Sequence, residues 1–196
     1  VNMFQTRTFL LKYGEIFLKG KNRYVFEDIL VEQVRRAVSK CQGEFKVHKS
    51  LSRIYVEALT DFDYDELIET LKCVFGVVAI CPVLVLEDNG FDDLKEQVVK
   101  YIAQAYDNQN FTFKVFSKRA RKNYPVNSMD MNCLIGEALL NAYPEIKVDV
   151  HKPDVSLHVE VRERIYVYSI IIPGPGGMPV GSAGKAMLLL SGGLDS

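Results

Sequence analysis

The stretch Ala186-Met-Leu-Leu-Leu-Ser-Gly-Gly-Leu-Asp-Ser196 decides how the last part of the chain is expected to fold. Its apolar run, Ala186 to Leu190, predicts a strand that is buried on both faces of a parallel sheet. The adjacent glycines allow backbone N–H groups to approach an anion closely. Asp195 and Ser196 are residue types that commonly begin a helix. A strand, a turn of small residues and a helix start together predict a loop that binds phosphate.

A flexible tail or a hairpin turn is the alternative to a phosphate loop here. A Walker-type GxxxxGK[ST] loop is excluded, because Ala186 follows Gly184-Lys185 and Pro179 occupies the position of the first glycine. The sequence SGGLDS, from Ser191 to Ser196, resembles instead the SGGxDS loop of the PP-loop pyrophosphatases. That family cleaves ATP between its α and β phosphates and adenylates a substrate.

Composition indicates a globular chain with no overall preference for anions or cations. The 196 residues leave room for one or two domains, 48% of them are hydrophobic, and the net charge is −1. A surface that binds nucleic acid must therefore be a local patch. The four cysteines lack CxxC spacing, so we expect small buried residues in a reducing cytosol and no zinc site or disulfide framework. The sequence shows no leader pattern and no apolar run of about 18 residues, so we expect no signal peptide, no membrane span and a cytoplasmic location.

The first part of the chain predicts the order β-α-β-β-α-β over about 85 residues, which is the ferredoxin-like arrangement. Apolar residues spaced by three and four predict helices over 24–40 and, after Asp61 and Asp63, over 64–73. Strands are predicted over 8–12, 44–48, 53–59 and 77–86. Pro82 interrupts the last of these strands, which predicts an edge position or a bulge.

A second unit follows the turn-rich break at Glu87-Asp88-Asn89-Gly90. Its helices are predicted over 91–106, capped by Asp92 or Asn89, and over 127–142. Its strands are predicted over 111–117, 155–161 and 165–172. Five glycines and three prolines between Pro173 and Gly184 then indicate a linker. We therefore expect an α+β fold: a ferredoxin-like domain (1–75), an α/β domain (76–172), a Gly/Pro linker (173–185) and the start of a PP-loop α/β domain (186–196).

A cluster of cations lies between the strand and the second helix of this unit. Four cations occupy five consecutive positions, at Lys118, Arg119, Arg121 and Lys122. No Asp or Glu occurs from Phe111 to Ser128, so these charges repel one another unless an anion neutralises them. A phosphodiester chain would do so and would release counterions. Tyr124 could then stack on a base of an unpaired end. A solubilising loop is the alternative interpretation of the same residues.

Longer motifs in this region resemble known families. The segments FKVFSKRARK (113–122), MDMNCLIG (129–136) and VDVHKPDVSLHVE (148–160) resemble the THUMP domain, an RNA-binding module of tRNA-modifying enzymes. The segments KYGE (12–15), LKGKN (18–22) and PVGSAGK (179–185) are similar to the bacterial tRNA 4-thiouridine synthases, a family of tRNA sulfurtransferases that is also tied to thiamine thiazole synthesis. The resemblance follows the whole chain in order.

This resemblance implies a division of roles along the chain. The residues implied for ATP and pyrophosphate are Leu188, Leu189, Ser191, Gly192, Gly193, Asp195 and Ser196, with Mg²⁺ as a further requirement. The residues implied for the tRNA acceptor end are Lys118, Arg119, Arg121 and Lys122, to which we add Tyr124. In the family, ATP adenylates the uridine carbonyl oxygen, and a persulfide sulfur from a donor such as a cysteine desulfurase displaces AMP.

The resemblance also implies what these residues do not include. The cysteines that deliver sulfur, the remainder of the ATP site and all catalytic residues would belong to a C-terminal domain beyond this sequence. We therefore assign no sulfur-transfer role to Cys41, Cys73, Cys81 or Cys133, and we expect no metal ligands and no catalytic turnover from these residues alone. A homodimer is compatible with the family, although the residues themselves do not fix the oligomeric state.

Two other functions stay open from the residues. The chain could be a stand-alone THUMP module that binds RNA without chemistry. It could also belong to another PP-loop enzyme, acting either on tRNA or on a small molecule. The cationic cluster argues against a small-molecule substrate, which would not need it.

Overall fold

The structure is a computed structural model that describes residues 6–14, 23–50, 52–182, 184–185 and 187. The predicted phosphate loop, from Ser191 to Ser196, lies outside these residues, as do Leu188 and Leu189. The described part folds into four helices and nine strands. The helices are α1 (Arg23–Val38), α2 (Tyr64–Leu71), α3 (Phe91–Ala105) and α4 (Ser128–Ala142). The strands are β1 (Thr8–Tyr13), β2 (Phe45–Ser50), β3 (Arg53–Ala58), β4 (Val77–Leu86), β5 (Thr112–Arg119), β6 (Lys147–Val148), β7 (Val155–Val161), β8 (Ile165–Tyr168) and β9 (Ile172–Pro173).

The strands form one sheet in the order β2-β3-β1-β4-β8-β7-β5-β6, and β9 pairs with β4 beside this path. The first four strands pair antiparallel and follow the predicted β-α-β-β-α-β order. In the second half, β5 runs parallel to β6 and β7, and β8 runs antiparallel to β7. The predicted α+β class with a ferredoxin-like first unit is therefore confirmed.

Strand β4 belongs to both halves of the sheet. It pairs with β1 from Val77 to Val83 and with β8 from Leu84 to Leu86. Ile80 packs into the core beneath α1 and α2, whereas Leu84 and Leu86 pack against the core beneath α3 and α4. These three residues share one face of β4, because side chains alternate along a strand. All four helices therefore cover the same face of the sheet.

The other face of the sheet carries a third buried cluster, which we call the shared cluster. Its members come from both halves of the sheet and are Leu10, Tyr55, Ala79, Cys81, Val83 and Tyr168. The rings of Tyr55 and Tyr166 lie 4.9 Å apart and extend this contact between β3 and β8. Apolar burial on this face therefore joins the two halves directly.

Pro82 does not lie on an edge strand, contrary to expectation. It pairs with Phe9 in the interior strand β4. On its opposite edge, β4 pairs with β9 at Ala79 and Ile80 and with β8 from Leu84 onward. Pro82 thus lies where that edge changes partner, which is a place where a residue without an N–H is tolerated.

The predicted strand over 165–172 is interrupted. Strand β8 ends at Tyr168, and β9 begins at Ile172. Between them, the Ser169 backbone N–H donates to the Tyr101 hydroxyl at 2.9 Å. The Ser169 hydroxyl also hydrogen-bonds with Tyr106 at 2.7 Å. Ser169 is therefore fixed by side chains of α3 instead of by a strand ladder.

Two further details differ from the sequence-based expectation. Gly90 is the N-cap of α3 and provides no side-chain hydrogen bond, whereas Asp92 or Asn89 was expected there. The short strand β6 has no counterpart in the predicted elements, because its two exposed residues carry no alternation. Among the described helices, none is both long and apolar enough to cross a bilayer.

Candidate nucleic-acid interface

The cationic cluster (Lys118, Arg119, Arg121 and Lys122) lies where β5 ends and the chain turns into α4. Strand β5 ends at Arg119, and the Ala120 N–H continues its pairing by donating to the Val161 carbonyl at 2.8 Å. Helix α4 begins at Ser128 with Asn127 as its N-cap, whose side chain accepts from the Asp130 N–H at 2.9 Å. The cluster is therefore held between two fixed elements.

Two of the four cations are bound within the chain. Arg119 donates to the Tyr124 carbonyl at 3.0 Å. Arg121 donates to a carboxylate oxygen of Asp88 at 2.7 Å, and both side chains are about two-thirds buried or more. Asp88 comes from the turn before α3, so the fold supplies a carboxylate that the local sequence lacks. These two arginines therefore hold the loop in its conformation and also give it positive charge.

The two lysines are the solvent-facing charges of the cluster. Lys118 and Lys122 are both exposed, and neither forms an ion pair with another described residue. Lys118 lies on the sheet face away from the helices, opposite Glu160 in the register of β5 and β7. An exposed, unpaired lysine can neutralise a phosphate with little desolvation cost, so these two residues are the strongest candidates for phosphate contact.

Tyr124 has a structural position that the sequence did not reveal. Only 6% of it is exposed, and it packs in the core beneath α3 and α4. The Arg121 guanidinium lies 5.7 Å from its ring centre. Burial raises the pKa of its hydroxyl. In this conformation the ring offers no face for stacking on a base, and the flanking Asn123 and Pro125 gave no sign in sequence that the loop folds inward.

We call the cationic cluster together with Ser117 and Tyr124 the cationic corner, and three of its buried polar atoms have no hydrogen-bond partner within the described chain. They are Ser117 Oγ, Arg121 Nε and Tyr124 Oη. Leaving such an atom unpaired costs about 1–3 kcal/mol, which native proteins tolerate mainly where a further group completes the bonding. Each of these atoms can donate a hydrogen bond. The corner is thus suited to an anionic group in its electrostatics and in its hydrogen bonding.

An aromatic row on the open sheet face adjoins the cluster. The rings of Phe116 and His158 are stacked at 5.1 Å, and those of His158 and Tyr168 at 4.8 Å. Lysines lie over both outer members of the row: Lys114 is 5.0 Å from the Phe116 ring centre, and Lys12 is 4.8 Å from that of Tyr168. The faces of these rings are therefore covered by one another or by a lysine. Solvent meets the lysine charges more than it meets open ring faces.

Lys12 connects this row to the cluster electrostatically. Burial lowers the pKa of Lys12, and the positive charges of Arg53 and Lys118 lower it further, against the opposing effects of Cys81 and Glu160. Lys12 and Lys118 come from different halves of the chain, so their charges lie close enough to interact only in the assembled sheet. The residues next to Lys12 in sequence give no sign of this association.

The predicted nucleotide loop lies outside the described residues, and the described side chains form no metal site. The residues assigned to ATP and pyrophosphate stay predictions, since all of them lie outside the described ranges. Among described side chains, no group of His, Cys, Asp or Glu is arranged to hold a metal ion. Cys41 and Cys81 are buried as expected, whereas Cys73 and Cys133 are exposed, contrary to expectation. Burial raises the pKa of the Cys81 thiol to about 11. The site that the structure defines is therefore the cationic corner and its neighbouring sheet face.

Comparison with known proteins identifies two domains in the chain. Residues 8–81 match the family model of the ThiI ferredoxin-like domain, and residues 88–169 match that of the THUMP domain. The cationic cluster falls in the second of these ranges.

Similar proteins cover almost the whole chain. A probable tRNA sulfurtransferase of Lachnospira eligens is 60% identical, over 97% of this chain and 49% of its own length. One from Agathobacter rectalis is 55% identical, over 97% of this chain and 48% of its own length. The chain thus spans about half the length of the curated relatives that it matches.

A solved structure has the same fold as the described residues. It is the crystal structure of a 4-thiouridine synthetase–RNA complex with bound ATP, which is 32% identical with a TM-score of 0.77, over 98% of this chain and 48% of that one. Together with the two family models, this similarity shows that the chain contains a ThiI ferredoxin-like domain followed by a THUMP domain.

Proposed function

We propose that this chain is the tRNA-binding part of an ATP-dependent tRNA sulfurtransferase that makes 4-thiouridine. The observation that carries the proposal is the cationic corner of the THUMP domain, where two exposed lysines stand beside two anchored arginines. The names of the similar proteins and the RNA-bound similar structure support it.

The cationic corner would bind the acceptor end of the tRNA. Lys118 and Lys122 would neutralise backbone phosphates and release counterions, which gives affinity that falls steeply with salt. Arg121 is held by Asp88 through one nitrogen, and its side chain is still 35% exposed, so it can also contribute positive charge to a phosphate contact. Rigid anchoring of both arginines lowers the entropy lost on binding.

The chemistry would take place in the part of the protein that follows. The loop from Ser191 to Ser196 would hold the pyrophosphate of ATP with Mg²⁺, and the uridine carbonyl oxygen would be adenylated. A persulfide sulfur, supplied by a donor such as a cysteine desulfurase, would then attack the activated carbon and displace AMP. A further cysteine of that part would break the S–S bond, which forms a disulfide and leaves the outer sulfur on the uridine. The same sulfur chemistry would serve thiamine thiazole synthesis. The backbone N–H groups of Gly192 and Gly193 suit the phosphate-holding role.

We predict that reversing the charge of the cluster abolishes tRNA binding. The variant carries Lys118→Glu, Arg119→Glu, Arg121→Glu and Lys122→Glu, and its affinity is measured by filter binding across a salt series. Lys118→Gln or Lys122→Gln alone should lower the slope of log K against log salt by about one unit. A matched control, Lys95→Glu with Lys100→Glu, reverses two charges on α3 and should leave binding within about twofold. Wild-type affinity of the fourfold variant at moderate salt would show that the corner is not the tRNA site.

A second candidate function is RNA binding without chemistry. Activity assays on the complete gene product distinguish it from the sulfurtransferase proposal. The sulfurtransferase proposal expects that protein to form AMP from ATP and to thiolate tRNA, with both activities lost in Asp195→Ala. A protein that binds tRNA but forms no AMP in the presence of a persulfide donor would support the stand-alone module instead.

A further inference from the structure

The segment from Ile172 to Ser182, which we call the strap, is docked on the ferredoxin-like half. Its first two residues form β9 and pair with Ile80 and Ala79 of β4. The backbone contact continues past the strand: the Gly174 N–H donates to the Val78 carbonyl at 2.9 Å, and the Gly176 N–H donates to the Val77 carbonyl at 2.8 Å. Although its composition indicated a linker, the strap follows the first four residues of β4, from Ile80 back to Val77.

Further contacts fix the far end of the strap. The Gly76 N–H donates back to the Gly176 carbonyl at 2.7 Å. Pro179 is buried, and its side chain lies against Gly76, where an added Cβ would meet it at 3.2 Å. The Gln33 side chain, on α1, donates to the Val180 carbonyl. The strap is thus bound to residues 77–80 of β4, to the turn before β4 and to α1, all of which lie in the ferredoxin-like half.

Close approach of two backbones explains the glycine at position 174. A Cβ added there would overlap the Val77 carbonyl oxygen, well inside van der Waals distance, and would also touch the Val77 side chain. No side chain larger than hydrogen fits without moving the strap away from β4. Gly174 therefore serves tight packing here, the opposite of the flexibility that Gly-rich segments usually provide.

We propose that the strap is a rigid mount that carries the chain from the THUMP half back across the ferredoxin-like half. It fixes the point from which the following segment departs. It would thereby set the distance between the cationic corner, which holds the tRNA, and the nucleotide-binding loop predicted after it. Gly174 is on this view a positioning residue for thiolation. The inference rests on the proposed function, because it requires a catalytic part that follows.

The docking itself is tested on the 196-residue chain by hydrogen–deuterium exchange. The amides of Gly174 and Gly176 should exchange slowly in the wild type. They should exchange at least tenfold faster in Gly174→Ala, because the added methyl group separates the strap from β4. Gly136→Ala is the matched control, since an added Cβ in α4 meets nothing within 4 Å, and it should leave both amides protected. Fast exchange of both amides in the wild type would contradict the proposal that the strap is rigidly docked.

The positioning role is tested in the complete gene product by separating binding from turnover. Gly174→Ala should leave the tRNA Kd within about twofold and lower kcat for thiolation at least tenfold. An insertion of Gly-Ser-Gly-Ser after Ser182 should do the same while the amides of Gly174 and Gly176 stay protected, because it lengthens the path beyond the docked backbone. Wild-type thiolation by either variant would overturn the inference, and so would a parallel loss of tRNA binding and thiolation in Gly174→Ala.

Failure of the proposed function gives a different result. In that case the wild-type gene product would bind no tRNA or thiolate none, although Gly174 and Gly176 would still be protected from exchange. A protein with protected amides and wild-type activity in both strap variants would instead contradict the strap inference alone.

Discussion

The position of the His158 ring depends on three neighbouring strands. Its ring stacks between Phe116 and Tyr168, on the strands to either side of its own. Burial lowers its pKa to about 4, with the positive charges of Lys12 and Lys118 acting in the same direction and Glu160 acting against them. The imidazole is therefore neutral at physiological pH, and it serves as an aromatic spacer on a face that carries several cations.

The lowered pKa of His158 predicts a loss of stability in acid. The unfolded chain takes up a proton at His158 near pH 6.5, whereas the folded chain does so only near pH 4. Since the unfolded state binds more protons between these values, the free energy of unfolding should fall as pH decreases from 6.5 to 4 and change little from this source below that range.

His158→Phe tests this prediction, because it keeps a ring in the stack and removes the titration. Urea unfolding at several pH values should show a smaller decrease in stability between pH 6.5 and 4 for the variant than for the wild type. Equal pH dependence of the two proteins would contradict the assignment.

At the scale of elements, the local pattern predicted most of the structure. The alternation of Phe113 and Val115 predicts a strand, and the structure has β5 there. The helix predicted from Asn127 is α4, for which Asn127 is the N-cap. These features depend on neighbouring residues only. The break after Tyr168 depends on hydroxyl groups of α3, and the tolerance of Pro82 depends on which strands pair beside it. Such features need the assembled sheet and are not visible along the sequence.

The candidate site shows the same division. The cationic cluster was visible in sequence because its residues are consecutive. Asp88 beside Arg121, and Lys12 beside Tyr168, come from other parts of the chain and required the fold. The burial of Tyr124 was likewise decided by packing against the core beneath α3 and α4, which no local residue signals.

The N-cap of α4 predicts a measurable contribution from this element. Asn127→Ala removes the acceptor for the Asp130 N–H, so we expect the free energy of unfolding to fall by about 1 kcal/mol. Asn141→Ala near the exposed end of the same helix should change it by less than about 0.5 kcal/mol. Equal effects in urea denaturation would indicate that the cap does not stabilise the helix.

At the scale of the whole molecule, Glu160 joins the two halves through charge. It is 3% exposed, accepts from Arg162 at 2.8 Å and from Tyr168 at 2.9 Å, and lies 4.0 Å from Arg53 of the ferredoxin-like half. Burial alone would raise its pKa, but the hydrogen bonds and positive charges of Arg162 and Arg53, with the Tyr168 hydroxyl, hold the pKa below its ordinary value. The carboxylate is therefore ionised and fully bonded within the sheet face.

Glu160→Gln should destabilise both halves together. The change leaves Arg162 and Arg53 without their buried countercharge, for which we expect a loss on the order of 3 kcal/mol. Because β4 and the shared cluster make the sheet continuous, unfolding should stay a single transition, with coincident far-UV and tyrosine-fluorescence curves. Glu163→Gln on the exposed hairpin is the control. Two separated transitions in the variant, or wild-type stability, would contradict this account.

Because β4 is shared by both halves, it limits where the chain can be cut into separate domains. The two matched families leave residues 82–87 between them, and a cut placed there would divide β4 instead of a connector. A truncated piece that starts at residue 88 would lose Leu84 and Leu86 from its interior and would bare the edge of β8, which invites aggregation. A piece that starts near Gly76 would keep the whole strand, so expression trials of the THUMP half should begin there.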